Sequence, residues 1–314
     1  MKRVVRWVFL LPLFARAIAA QDLAGGENVG RVESSPELVL QATSSPAAKL
    51  DFNWHLIFPL MRGEGPLTQG NNLRITPGAE ITPVSAGITA EAVWTPIAFA
   101  ELALGGRAGS GWNAEVFGGE IRGIGLNLPG ENGAAEHCGR SFDGLLWGLN
   151  AGVALQGDLG AVFPGEWNHV IMRTYHEIGY AAYSRARGGE AWFFENDEGE
   201  NRNGFSYYGY LIIGYRMPLL LDMVALWFEA DLPLRGEPSW SRWGGDMIRW
   251  TFSAVSNFAV SSRLNVTLAA QFQTRRNFLE PDWRDLHFTA RTIDAANPRS
   301  LGFHRLAAVV AYRF

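Results

Sequence analysis

The largest concentration of chemically active side chains lies between residues 168 and 184, in the segment NHVIMRTYHEIGYAAYS. His169, Arg173 and Glu177 recur at every fourth position, so they share one face of an extended strand, whose side chains alternate. A glutamate and a histidine on one face can act as acid and base in proton transfer. The same residues also fit a structural network of charges, and we favour this second interpretation.

A second candidate site is the acidic segment 189–204, GEAWFFENDEGENRNG. Asp197, Glu198, Glu200 and Asn201 carry the oxygen atoms that Ca²⁺ prefers as ligands. Their spacing does not fit the EF-hand loop, which places its ligands at fixed positions. We therefore favour a solvated acidic loop. Cation binding by this loop is the alternative, and the sequence does not identify the metal.

Several classes of function are excluded by composition and motifs. The single cysteine, Cys138, excludes an intramolecular disulfide framework and any multi-cysteine metal site. The metalloprotease and serine-hydrolase motifs are absent, and Ser256 and Asn257 lack the adjoining histidine of membrane-embedded phospholipases. A net charge of -4 without a basic block argues against a nucleic-acid partner. We predict no enzymatic activity and no cofactor.

The elements that must position these residues are β-strands with one apolar face. In KLDFNWHLIFPL, which begins at residue 49, Asp51, Asn53 and His55 alternate with apolar side chains, as in a strand of period two. Three later segments repeat this pattern: MIRWTFSAVSNF, RLNVTLAAQFQTR and RLAAVVAYRF. No uncharged apolar run is long enough for a transmembrane helix, which excludes a helical membrane protein.

Three features favour a transmembrane barrel over a soluble β-sandwich. The strands have about the 9 to 11 residues that a tilted strand needs to cross a bilayer. Short and long connections alternate along the chain, and aromatic residues lie beside the short ones: Trp94, Trp167, Tyr215, Phe258 and Tyr312. Short turns, long loops and an aromatic girdle are typical of outer-membrane barrels. We predict an all-β fold, a single closed antiparallel transmembrane β-barrel.

The strand count follows from the alternating segments. We predict about ten strands, with about 8 to 12 possible, at 50–61, 72–94, 97–107, 143–163, 168–183, 205–216, 219–231, 247–259, 263–277 and 301–314. The count becomes twelve if Pro83 is a turn and residues 112–125 also pair. Because closure joins the first strand to the last, ten strands place Asp51 close to Arg313.

The N-terminal segment predicts export. Residues 1–20 begin with basic residues, continue through WVFLLPLF and end in AIAA, the layout of a secretory signal peptide cleaved after Ala20. A membrane anchor is the weaker alternative because Arg16 interrupts the apolar stretch. Residues 21–48 are rich in Gly, Ser, Ala and Glu without periodicity, so we predict a flexible segment there, followed by the barrel at 49–314.

The C-terminus carries a resemblance to known proteins. The last strand ends on Phe314 with Tyr312 two residues earlier, and this resembles the assembly signal of bacterial outer-membrane β-barrel proteins. A narrower resemblance, to a spirochaetal, treponemal-type outer-membrane protein family without an assigned activity, rests on WTPIAF (94–99), GSGWN (109–113), PGEWNHV (164–170) and NDEGENRNG (196–204). These resemblances imply a barrel in the outer membrane, with lipid and the barrel assembly machinery as partners. They imply no catalytic residues.

The predicted function is a narrow pore or a solute or ligand conduit with long surface-exposed loops. Both signs of charge occur on the lumenal parity, so strong ion selectivity is not expected; the residues are Asp51, Glu91, Glu101, Glu177, His169, Arg173, Arg249, Arg275, Arg305 and Arg313. One alternative is a non-conducting barrel whose extracellular loops bind a host or envelope component. A second alternative is a membrane-embedded hydrolase built on His169 and Glu177.

Overall fold

The structure is a computed structural model that describes residues 32–44, 47–116, 119–195, 197–234 and 240–314. The predicted signal peptide and residues 21–31 lie outside the described residues. Twelve strands close into an antiparallel barrel: β1 (Glu33–Thr43), β2 (Ala47–Pro59), β3 (Asn72–Thr82), β4 (Ser85–Ile97), β5 (Ala100–Gly111), β10 (Leu146–Asp158), β11 (Val170–Tyr183), β13 (Gly204–Arg216), β14 (Leu221–Pro233), β15 (Arg249–Ala259), β16 (Leu264–Arg276) and β17 (Arg299–Arg313).

The remaining elements lie in the loops. They are β6 (Ala114–Val116), β7 (Gly119–Ile121), β8 (Ile124–Pro129), β9 (Ala135–Cys138), β12 (Ala191–Phe194) and a single helical turn, α1 (Trp240–Trp243). β12, β8 and β9 form a small sheet in that order, and β6 pairs with β7. No helix in the described part of the chain is both long and apolar enough to cross a membrane.

The predicted count of about ten strands is wrong, for two reasons. Residues 72–94 are not one long strand, because the chain turns at 83–84 and the hairpin partners Thr82 and Ser85 face each other. The alternative with a turn at Pro83 was therefore correct on this point, but residues 112–125 do not join the barrel and contribute to the small loop sheets. The twelfth strand is β1, within the segment predicted to be flexible.

β1 escaped the sequence prediction because its apolar residues, Leu38, Val39 and Leu40, are consecutive rather than alternating. In the barrel, Val39 and Glu37 face inward while Leu40 is exposed on the outside. Closure is by β1 and β17, with Glu37 opposite Arg313. The predicted proximity of Asp51 and Arg313 is therefore wrong: Arg313 donates to Glu37 at 3.3 Å, and Asp51 pairs with Lys49 at 2.7 Å.

The two ends of the barrel differ in their connections. The chain termini of the barrel and the connections 60–71, 98–99, 159–169, 217–220 and 260–263 lie at one end, here called the turn end. The opposite end, called the loop end, carries the tight turn at 83–84, the short connection between β1 and β2, and four longer connections, which join β5 to β10, β11 to β13, β14 to β15 and β16 to β17. The predicted alternation of short and long connections is thus present only in part: two strand pairs are joined by short connections at the loop end, and two turn-end connections, 60–71 and 159–169, have 12 and 11 residues.

The alternation of side chains decides what the wall presents on each face. Polar residues of the lumenal parity are buried, as for Thr251, Thr267 and Gln271, which are at most 2% exposed. Apolar residues of the other parity are open to the surroundings, as for Phe52 at 43% and Leu104 at 65% exposed. A closed ring of strands leaves no edge with unpaired backbone groups, which is the condition for placing this apolar surface in lipid.

Candidate functional site: the lumen and its cap

Arg173 organises the lumen near the turn end. On β11 it lies inside the barrel, where it donates to the Tyr210 hydroxyl at 2.9 Å, to Glu101 Oε2 at 2.7 Å and to Gln156 Oε1. The partners come from β13, β5 and β10, which surround β11 in the ring. The antiparallel register sets Gln156 directly opposite Arg173, so the cluster follows from strand pairing. Its guanidinium is therefore bound to side chains on both adjacent strands and on β5, the strand beyond β10.

Glu177 faces the same lumen but has different partners. Its Oε2 accepts hydrogen bonds from Asn150 Nδ2 at 2.9 Å and from the Tyr175 hydroxyl at 2.8 Å. The ring of Tyr175 lies over Gly152, where an added Cβ would be only 2.4 Å from the tyrosine hydroxyl. Glycine at this wall position therefore makes room for the tyrosine that holds Glu177.

His169 lies apart from both residues. It precedes β11 at the turn end, and its Nδ1 lies 2.7 Å from Asp158 Oδ2 at the end of β10. Since a strand rises about 3.3 Å per residue, His169 and Glu177 are roughly 25 Å apart along the wall. Direct proton transfer between them is excluded by that separation, so the geometry removes the acid and base pair on which the hydrolase alternative was based.

The other predicted lumenal charges divide into two groups. Arg249 is paired with Asp231 on the neighbouring strand, and Arg313 with Glu37, so both lie in lumenal ion pairs. Arg275 does not join them, because it is exposed at the loop end and donates to the Phe303 carbonyl. The next residue, Arg276, turns inward instead, near the register shift that follows Gln271.

The described residues of the long loops lie over the loop end of the barrel and form what we call the cap: 112–116, 119–145, 184–195, 197–203 and 277–298, together with α1. Its central loop, 184–203, carries Trp192, Phe193 and Phe194, which are buried. Trp192 and Phe194 pack in one apolar cluster with Ile124 from another loop. The central loop is therefore a packed element and not the solvated acidic loop that was predicted.

The central loop spans the mouth of the barrel. Glu195 accepts a hydrogen bond from Ser85 Oγ, on β4, at 2.6 Å. Glu200 pairs with Arg276, on β16, at 2.5 Å and with Arg291, in the last long loop, at 2.9 Å. β4 and β16 are separated in the ring by β3, β2, β1 and β17 on the shorter way round. Contacts to strands so far apart place this loop across the opening.

The predicted cation-binding residues do not converge. Asp197 Oδ1 accepts from the backbone N–H groups of Gly199 at 2.8 Å and Phe194 at 3.3 Å, and Oδ2 accepts from Asn201 Nδ2 at 2.5 Å. Glu200 is engaged by two arginines. Among the described residues, no group of three or more His, Cys, Asp or Glu side chains is arranged to hold a metal ion. Asp197 thus serves as a turn-forming acceptor, and desolvation raises its pKa to about 7.

A seam of arginines and aromatic rings joins the parts of the cap. The Arg202 guanidinium lies 4.8 Å from the centre of the Phe288 ring, and that of Arg276 lies 5.1 Å from the Trp243 ring. Burial, together with the charges of nearby arginines, lowers the pKa of His287 in this seam to about 4. The Trp-rich sequence SWSRWGG at 239–245 was the sequence signal for this seam, but nothing in it identified the partners.

Below the cap, the lumen contains a cavity of about 250 Å³. Its lining includes charged residues from five wall strands, Lys49, Asp51, Glu80, Glu91, Arg107 and Glu177, and the aromatic residues Tyr175, Trp192 and Tyr208. Lys49 Nζ lies 2.7 Å from both Asp51 Oδ1 and Glu80 Oε2, and Arg107 lies 2.8 Å from Glu80 Oε1. The alternation in the sequence predicted that Asp51, Glu91 and Glu177 are lumenal, but nothing in it singled out Lys49, Glu80 or Arg107.

The predicted assembly residues lie at the turn end. Tyr312 and Phe314 are exposed, and their rings meet edge to face at 5.0 Å. The Phe314 N–H donates to the Pro36 carbonyl at 3.1 Å, which extends the pairing of β17 with β1 to the last residue. Phe314 therefore lies beside β1 and β17, the two strands that close the barrel.

The chain has no match among family models, and no curated protein matches its sequence. Among solved structures it is similar to the KdgM porin, at 9% identity over 89% of this chain and 99% of that chain, with a TM-score of 0.38. It is also similar to the β domain of the Bordetella autotransporter BrkA, at 11% identity over 91% of this chain and 99% of that chain, with a TM-score of 0.43. Salmonella typhi OmpF in complex with daunomycin gives 7% identity, 91% and 98% coverage and a TM-score of 0.29.

Proposed function

We propose that this protein is an integral outer-membrane β-barrel that acts as a narrow solute conduit, with its outer mouth closed by the cap. The observation that carries this proposal is the pairing of a polar, cavity-containing lumen with an exposed apolar outer wall. A soluble protein rarely exposes so large a continuous apolar surface, since such patches drive association. A bilayer is the environment in which that surface is stable.

The location and orientation rest on the two ends of the barrel. Outer-membrane barrels have short turns on the periplasmic side and longer loops outside, so the turn end is periplasmic and the cap faces outward. Export through a signal peptide cleaved after Ala20 and recognition of Phe314 by the assembly machinery complete the proposal. Membership of the spirochaetal family belongs to it as well, on the four motifs quoted above.

Conduction is supported by the character of the lumen. Twelve strands enclose more space than the eight-stranded barrels whose side chains nearly fill the interior. The charges inside are neutralised in clusters along the wall, as for Arg173 with Glu101 and Arg249 with Asp231. Buried rings such as Tyr210 and Trp227 share this lumen, so the proposed conduit is narrow. We assign no catalytic role to any of these residues.

The cap can be tested by removing it. We expect the complete protein in planar bilayers to stay mainly closed, and a variant with residues 189–202 replaced by a Gly-Ser linker to form steadily open channels. The matched control shortens the β6–β7 hairpin, whose strands form a two-stranded sheet separate from the barrel, and should leave conductance unchanged. Heat-modifiable electrophoretic mobility would establish that each variant is folded. A folded cap-deletion variant without conductance would overturn the conduit.

A second candidate function is a non-conducting barrel that presents the cap to a binding partner. The specific observation in its favour is that the cap has its own apolar clusters, in which Trp243 packs on Phe288 at 4.7 Å and Trp192 packs on Tyr183. A closed lumen in the cap-deletion variant would favour this candidate. Open channels in that variant would favour the conduit.

A further inference from the structure

The cavity under the cap is formed by specific residues of the wall and of the central loop. On the wall it is lined by Gly105, Gly148 and Gly179, whose lack of side chains leaves room inside the lumen. A Cβ at Gly105 would lie 2.6 Å from Asn150 Oδ1. Its roof includes Trp192, from the central loop of the cap. The wall and the cap therefore enclose it together.

The charges around this cavity are unequal. Its lining contains four carboxylates, Asp51, Glu80, Glu91 and Glu177, and two basic groups, Lys49 and Arg107, which leaves an excess of two negative charges. Both basic groups lie at the same end, bound to Asp51 and Glu80 within 2.8 Å. Since charge interactions are stronger away from bulk water, this excess favours a cationic occupant.

Aromatic rings supply a second, independent preference. Tyr175, Tyr208 and Trp192 line the same cavity. The Trp192 N–H donates to Asn203 Oδ1 at 3.0 Å, which fixes the orientation of the indole beside the cavity. The faces of aromatic rings attract organic cations, especially those with a diffuse positive charge. Carboxylates and aromatic faces together are the features that recognise an ammonium group.

We propose that this cavity binds a small organic cation of the alkylammonium class. The inference rests on the proposed conduit function, since it names the solute class for which the lumen is suited. A volume of about 250 Å³ is smaller than the ~300 to 1,000 Å³ of drug-sized ligand sites, so the occupant is a small molecule. The carboxylates of Glu91 and Glu177 face its positive charge, and the rings pack on its alkyl groups.

The test compares three probes of the same shape and different charge. They are choline, its neutral isostere 3,3-dimethylbutan-1-ol, and the anionic 3,3-dimethylbutyrate, titrated calorimetrically into the folded full-length protein. We expect choline to bind at least about tenfold more tightly than the neutral isostere and the anion not to bind. Equal affinity for choline and its neutral isostere would overturn the proposal, because the site would then recognise shape alone.

Variants locate the site. In the double variant E91Q/E177Q the preference for choline over the neutral isostere should fall by about tenfold. The matched control E166Q removes an exposed carboxylate from a turn-end loop and should bind choline as the original protein does. If the double variant fails to fold, the single variant E91Q gives the same comparison. Unchanged choline preference in folded E91Q/E177Q would overturn the proposal.

Failure of this inference and failure of the conduit are distinguishable. The calorimetric titration needs no transport, and the conductance of the cap-deletion variant needs no choline. Open channels without selective choline binding would leave a conduit and remove the cation site. Selective binding without conductance would leave a cation-binding lumen and remove the conduit.

Discussion

The Arg173 cluster of the wall and the Asp197 turn of the cap stabilise charge in different ways. In the wall, Arg173 neutralises Glu101 at 2.7 Å, across strands that the barrel brings together. In the cap, Asp197 is held by neutral donors within a few residues, the N–H groups of Phe194 and Gly199 and the Asn201 amide. The wall therefore depends on a long-range ion pair, whereas the cap depends on local hydrogen bonds to a partly desolvated carboxylate. From this difference we expect substitutions in the wall to destabilise the whole barrel, and substitutions in the cap to destabilise only the loop that carries them.

The largest effect is expected for Arg173→Ala. The substitution leaves the Glu101 carboxylate inside the lumen without its guanidinium partner, and breaking such a buried pair costs about 3 to 5 kcal/mol. We expect a large loss in the unfolding free energy of the whole barrel, measured by denaturant titration. Arg275→Ala, at an exposed position on β16, is the matched control and should change it little. A similar loss in both variants would show that the wall does not depend on the Arg173 cluster.

A smaller and local effect is expected for Asp197→Ala. The substitution removes the acceptor of three hydrogen bonds in the central loop, at a cost of about 1 to 3 kcal/mol. Hydrogen exchange of residues 191–203 should become faster while that of the strands is unchanged. Asp282→Ala, in an exposed part of another loop, serves as the control. Global destabilisation by Asp197→Ala would contradict the distinction between wall and cap.

The same aspartate makes the central loop pH-dependent. Its pKa is raised from the model-peptide value of 3.8 to about 7 in the folded protein, chiefly by desolvation. The folded loop therefore binds more protons than the open loop, so its stability is complete below about pH 4 and declines as the pH rises through about 7. We expect exchange protection at 191–203, corrected for intrinsic rates, to decrease over this range. Asp197→Asn should remove the dependence, and a rise in protection with pH would contradict it.

His287 gives the opposite dependence in the neighbouring part of the cap. Burial lowers its pKa from 6.5 to about 4. The folded segment then binds fewer protons than the open one, so its stability is present above about pH 6.5 and is lost as the pH falls toward 4. Protection of residues 286–291 should decrease on acidification in the original protein and not in His287→Gln. Parallel behaviour of the two cap segments would show that they open as one unit.

The smallest effect is expected where the barrel closes. Arg313→Ala removes an ion pair in which the arginine is partly exposed and Glu37 is buried, and His55 Nε2, at 3.4 Å, remains beside that carboxylate. We expect a loss of about 1 kcal/mol, smaller than for Arg173→Ala, because water screens the arginine and the Glu37 carboxylate keeps a partner. Deletion of Phe314 should instead reduce the yield of assembled barrel in cells, since it removes the C-terminal aromatic residue. An Arg313→Ala protein that assembles as poorly as the deletion variant would show that this ion pair is essential for closure.

The sequence was informative where structure depends on neighbours along the chain. In β15, the apolar residues Trp250 and Phe252 alternate with the polar residues Thr251 and Ser253. Successive residues of a strand point to opposite sides, so this alternation predicted both that the segment is a strand and which face each side chain occupies. The same rule placed Arg173, Glu177 and Arg249 inside the lumen. It could not detect β1, whose consecutive apolar residues carry no such alternation.

The sequence alone thus determined that the chain forms a wall of strands with a polar and an apolar face, because that information is local and repeats every second residue. Only the tertiary structure decided that the wall has twelve strands, that Arg313 meets Glu37, and that the acidic segment folds across the mouth. The contact between Ser85 and Glu195 joins residues 110 positions apart. Pairs so distant in sequence depend on closure of the ring and on which loops reach one another, and no periodicity encodes either.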